Sequence, residues 1–127
     1  MTILGIDWGE AKLGLALSVG KIAEPYEVVR YSDIKILKEV LAEIIKRQSV
    51  EKIVIGVSEG KSEDTARAFG QEIGQLGVEV EFFDETLSTL EAQELSRQAG
   101  IKRKKVKILE DAFAAAVMLQ SYLDSHV

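Results

Sequence analysis

The chain has 127 residues, enough for one domain with a proper core, and its 46% hydrophobic and 29% charged residues are the balance of an ordinary globule. The lack of cysteine excludes disulfides, thiolate metal sites and thiol nucleophiles and points to a reducing cytoplasm; the single histidine, His126, sits at the frayable C-terminus, a poor place for a triad or a histidine metal site. A net charge of −5 argues against a protein that coats nucleic acid through charge alone, and with no signal peptide and no apolar run long enough to span a bilayer, no membrane partner is expected.

Ile3, Leu4 and Ile6 predict a buried strand that ends on Asp7 and turns through Gly9. A carboxylate at the end of such a strand loses hydration and asks for a cation, although an Asx-type turn before Gly9 would also use it. Leu13, Leu15 and Leu17 alternate with smaller residues in a second strand, and Gly14 leaves room for a ligand to approach the backbone. The pair reads as a hairpin presenting Asp7 at its open end. Ser18 to Pro25 predicts a turn, and Tyr26 to Tyr31 a third strand that completes a meander.

Ser32-Asp33 offers an N-cap to a helix in which Ile34, Leu37, Leu41, Ile44 and Ile45 recur at helical spacing as far as about Gln48. Lys52 to Val57 is a continuous β-branched run, the pattern of a strand covered on both faces, and its place is beside the first strand. A polar loop leads to a helix over Asp64 to Leu76, with Ala68, Phe69, Ile73 and Leu76 inward and Gly70 and Gly74 permitting close packing on the sheet. After Gly77, Val78 to Phe83 alternates apolar and acidic residues and runs into Asp84-Glu85. Ser88-Thr89 precedes an amphipathic helix with Leu90, Ala92, Leu95 and Ala99, stopped at Gly100. The block Lys102-Arg103-Lys104-Lys105 then forms a basic loop able to steer a polyanion, or a solvated one. The last helix, Ile108 to Leu123, is apolar on most faces and carries Asp111 in its first turn. The order of elements predicts an α/β fold with a five-stranded mixed sheet, a meander followed by parallel strands, and helices on both faces.

Asp7, Glu85 and Asp111 thus all stand at element ends. If the first, fourth and fifth strands are parallel, Asp7 and Glu85 reach the same sheet edge, where sites of open α/β sheets lie, and a helix starting over that edge adds Asp111. Each acid has a plainer role available: Glu85 as an exposed loop acid, Asp111 as a complement to the helix dipole. Together, three carboxylates suit hard divalent ions such as Mg²⁺ or Mn²⁺, and two such ions about 3.5–4 Å apart stabilise both the attacking and the leaving oxygen in phosphodiester hydrolysis.

Gly5-Ile-Asp7-Trp-Gly9 with Gly14-Leu-Ala-Leu-Ser18, Ile55-Gly-Val57, Asp84-Glu-Thr-Leu-Ser-Thr89 with Glu91-Ala92, and Asp111 to Leu123 together resemble the YqgF family, also called RuvX, of Holliday-junction-resolvase-like proteins and pre-16S rRNA nucleases. The resemblance spans nearly the whole chain; the first motif alone is also found in sugar kinases and actin-like ATPases. It implies an RNase H-like fold and a metal-dependent nuclease with Asp7, Glu85 and Asp111 as metal-binding acids. The implied substrate is structured RNA, namely the ribosomal precursor at its 5′ end, or branched DNA, handled by a monomer or a homodimer. Lys12, Arg103, Lys104 and Lys105 are the candidates for the phosphate backbone. The chain departs from the family's pattern at Leu13 and Thr86, where arginines are expected, and at Val57-Ser58, where Leu-Pro is usual. Three alternatives share these residues: a nucleic-acid-binding or ribosome-assembly module on the same fold without catalysis, a Holliday junction resolvase, and a phosphate-binding ATPase-like module suggested by the glycine-bearing hairpin, against which a length of one domain counts.

Overall fold

The computed structural model describes residues 1–8, 12–58, 63–85 and 110–125, of which 57, 58, 63–66, 84 and 85 are described by backbone alone. The strands are β1 (Ile3–Trp8), β2 (Lys12–Ser18), β3 (Ala23–Arg30), β4 (Lys52–Ser58) and β5 (Glu79–Glu85); the helices are α1 (Ile34–Gln48), α2 (Glu63–Gly74) and α3 (Glu110–Ser125). They form one sheet in the order β3-β2-β1-β4-β5. β1 pairs antiparallel with β2 and parallel with β4, and β4 pairs parallel with β5, so the expected meander and crossovers are both present.

Strand alternation divides the core in two. Leu4, Ile6 and Trp8 of β1, Leu13 and Leu15 of β2 and Ile53 and Ile55 of β4 pack with Leu37, Leu41 and Ile44 of α1 and Phe69 and Ile73 of α2. The opposite face carries Ile3, Ala16 and Val54, covered by Ala115, Ala116, Met118, Leu119 and Tyr122 of α3. Small residues let α3 lie close: a Cβ on Gly5 would stand 3.0 Å from the Cβ of Leu119. Gln120 ties the same helix to the β2–β3 turn, accepting from the Ala23 N–H and donating to the Lys21 carbonyl, both at 2.9 Å.

Helix α1 begins at the expected cap, with the Asp33 carboxylate accepting from the Lys35 N–H at 2.8 Å. It ends at Ser49, whose own N–H still donates to the Ile45 carbonyl and whose left-handed φ of 54° brings the following N–H, that of Val50, to the same oxygen at 3.0 Å. Three expectations need correction. β3 starts at Ala23, so Pro25 lies in a strand and not in the turn before it; as an edge strand with a register shift opposite Leu15 and Ala16, β3 tolerates the missing N–H. Ala68 is exposed, because α2 turns Phe69 and Ile73 to the sheet and leaves its neighbour outside. Gly70 does meet β5, where an added Cβ would lie 2.2 Å from the Phe82 ring, but Gly74 faces open space. The amphipathic helix expected after Ser88 and the basic loop lie outside the described residues. Among the described residues no helix is long and apolar enough to cross a membrane.

Candidate nuclease site at the carboxyl edge of the sheet

The register fixes where each acid stands. Asp7, partly buried, pairs with Gly14 on one side and Gly56 on the other. Residues directly opposite each other in a ladder share a face, so Asp7 lies on the face that Gly5 and Gly14 turn toward α3.

Gly14 makes the site possible. A Cβ built there would lie 1.8 Å from the Asp111 carbonyl oxygen and 2.9 Å from the Ala112 nitrogen, so the first turn of α3 rests directly on the strand backbone opposite Asp7. The expectation that Gly14 leaves space for a ligand is thereby corrected: the backbone it admits is that of α3. This contact seats the Asp111 turn on the strand residue that pairs with Asp7.

Glu85 is the last residue of β5 and pairs with Ser58, two positions beyond the row Asp7–Gly56–Phe83. One strand lies between β1 and β5, a lateral separation of about 10 Å. The alternation of β5 sends Glu81 to Tyr122 and Phe83 into the α3 cluster, and Glu85 follows two residues further along the same strand. Its side chain lies outside the described residues, as do Arg103, Lys104 and Lys105. Among the described residues no three metal-ligating side chains converge.

The structure adds a contact that sequence reasoning did not find. Lys12, the first residue of β2, places its Nζ 2.9 Å from Asp111 Oδ2. The pair is open to water, with side-chain exposures of 45% and 32%, so its net worth to stability is about 0–1 kcal/mol. The signal for the backbone contact was present in Leu13-Gly-Leu-Ala-Leu17, whose large–small alternation marks one strand face for close packing against an alanine-rich helix. The ion pair itself had none.

The Leu13 departure loses its meaning in three dimensions. Leu13 is fully buried against α1 and α2, on the face away from Asp111, so a cation at that register would not reach the acids. Position 12 is where β2 delivers positive charge to Asp111. Thr86 lies outside the described residues.

Known proteins resemble this chain over nearly its whole length. The RuvX family, described as Holliday junction resolvase, matches residues 1–125. A protein of Anaeromyxobacter sp. (strain Fw109-5) is 40% identical over 133 residues, covering 98% of this chain and 97% of its own length. One of Desulforamulus reducens is 37% identical over 134 residues, covering 98% of each. Both are named "Putative pre-16S rRNA nuclease". Among solved structures, Thermus thermophilus RuvC in complex with Holliday junction substrate superposes with a TM-score of 0.64 at 21% identity, over 100% of this chain and 97% of its own. The Fowlpox virus resolvase in complex with Holliday junction DNA gives 0.66 at 14% identity, over 100% and 99%. At those identities the structures speak to the fold, which is RNase H-like. The chain therefore belongs to the RuvX family, whose relatives and described activity are those of nucleases.

Proposed function

We propose that this chain is a divalent-metal-dependent nuclease that hydrolyses phosphodiester bonds in structured nucleic acid, with Asp7, Glu85 and Asp111 as its metal-binding acids and Mg²⁺ or Mn²⁺ as the ion. The substrate we assign is the precursor of 16S rRNA, on the strength of relatives that carry that name and match over nearly their full length; processing at its 5′ end is what the family resemblance adds. The observation that carries the reading is the seating of the Asp111 turn on Gly14, the residue paired with Asp7.

The donors suit the ion. Asp7 and Asp111 offer only carboxylate oxygens, the ligands that hard divalent cations take, and Asp111 already accepts a cationic partner in Lys12. When bound there, a divalent ion supplies Lewis-acid stabilisation of the charge that develops on the scissile phosphate. The chain's own contribution is rigidity: Asp7 is held between two ladders, and Asp111 in the first turn of a helix whose backbone abuts the sheet. Lys12, with Arg103, Lys104 and Lys105, supplies positive charge for the phosphate backbone.

The test is Asp7→Asn. Cleavage of a pre-16S rRNA fragment with Mg²⁺ or Mn²⁺ should fall at least about 100-fold while the thermal unfolding midpoint stays within about 3 °C of wild type. A four-way DNA junction assayed alongside separates RNA processing from junction resolution. Undiminished cleavage by the variant overturns the assignment.

A further inference from the structure

We propose that the Lys12 ammonium is a built-in counter-ion of this site: it neutralises Asp111 before metal arrives, is displaced by the divalent ion, and then turns to a phosphate of the bound nucleic acid. The inference rests on the metal-ligand reading of Asp7 and Asp111 and adds to it a residue that competes with the ion.

Lys12 Nζ and Asp111 Oδ2 are 2.9 Å apart, and neither residue reaches the other from a loop. Lys12 is fixed in β2 by its pairing with Arg30, and Asp111 stands in the first turn of α3. Gly14, two residues along from Lys12 on the same strand face, sets the closeness of the two backbones. The ammonium therefore sits on one of the two oxygens that Asp111 can offer a metal ion. A divalent ion and an ammonium side by side on one carboxylate repel, so binding of one weakens the other.

Lys12 has somewhere else to go. Its side chain is 45% exposed, on a flexible four-carbon stem with three rotatable donors, and it stands at the same edge as the proposed scissile phosphate. The same charge thus holds the acid in one state and a phosphate in the other.

The experiment is a calorimetric titration of the whole chain with Mn²⁺ in the absence of nucleic acid. Lys12→Met, which keeps the stem and removes the charge, should tighten Mn²⁺ binding by about three- to tenfold, and Lys12→Arg should restore it to near the wild-type value. In an Asp111→Asn background the Lys12→Met gain should vanish, since the two residues act on one another. With Ca²⁺ present, Lys12→Met should also weaken binding to an RNA hairpin and lower the slope of log affinity against log salt by a little under about one. Unchanged Mn²⁺ affinity in Lys12→Met, with wild-type binding still abolished by Asp7→Asn, overturns the counter-ion role and leaves the metal site standing. An unchanged salt slope with Ca²⁺ overturns the transfer to phosphate. Absence of Mn²⁺ binding in wild type and variant alike overturns the metal site and this inference together.

Discussion

Helix α3 is bordered by a lysine–carboxylate pair at each end, and the two pairs are built differently. At its first turn Lys12 meets Asp111 at 2.9 Å, both side chains substantially open to water. Near its last turn Lys52 meets Glu81 at 2.7 Å, with Lys52 only 17% exposed. There Tyr122 donates to the same Glu81, its ring stands 5.3 Å from the Lys52 ammonium, and Phe83 packs edge-on against it at 5.7 Å. The hydrogen bond from Lys52 to Glu81, then its contact with Tyr122, hold the Lys52 pKa well above the usual lysine range. The second pair is enclosed on its lysine side only, since Glu81 is 40% exposed, but with Tyr122 on both partners it binds the helix to β4 and β5. The first has room to open. The lesson is that distance alone does not rank such pairs; the number of groups that surround the charge does.

The sharpest way to break this contrast is at the glycine beneath the open pair. Gly14→Ala places a methyl group 1.8 Å from the Asp111 carbonyl oxygen, and backbone, unlike a side-chain tip, cannot rotate away. Helix α3 must lift at its first turn, at a cost of about 3 kcal/mol or more, with Asp111 carried away from Asp7. Chemical denaturation should show the loss. Gly5→Ala presses on the same helix further along, but its nearest neighbours are the Cβ, Cδ2 and Cγ of Leu119 at 3.0–3.4 Å. Relief there takes a few tenths of an ångström, so the cost should stay near about 1 kcal/mol and the site acids should keep their places. Equal costs for the two substitutions would remove the argument that α3 is seated on backbone at the site end.

How far the sequence alone reaches can be judged on these same elements. The strand ending at Asp7, the capped helix after Asp33 and the β-branched run from Lys52 were legible because each rests on local chemistry: an apolar period, a side-chain cap, a turn. The strand start at Ala23 was not, because proline reads as a breaker until it is known to lie on a sheet edge. That α3 starts over the strand edge where Asp7 stands was legible only as an inference from strand order, and the Gly14 contact that seats it there depends on how deeply α3 settles. The ion pair of Lys12 was beyond reach for the same reason, and Leu13 misled because a residue's neighbour in sequence faces the other side of a strand.

The pair at the other end of α3 is probed through pH. Burial, and then the hydrogen bond to Glu81, raise the Tyr122 pKa above its ordinary value near 10. A group whose pKa is higher folded than unfolded contributes stability that is complete below the unfolded value and is lost as pH rises through the folded one. Lys52 is raised as well, so its contribution has the same sign. Stability should therefore fall as pH climbs above about 10, because the unfolded chain releases protons that the folded chain retains. In Tyr122→Phe the hydroxyl is gone, and the variant should be less stable at neutral pH by about 1–2 kcal/mol, the worth of a hydrogen bond to a charged acceptor. Above pH 10 its curve should fall less steeply than wild type, by at most about 1.4 kcal/mol per pH unit, until the two approach one another. Unfolding midpoints measured from pH 8 to 11.5 decide the matter. Parallel curves would mean that Tyr122 does not hold its proton against Glu81, and the enclosed pair would then differ from the open one only in packing.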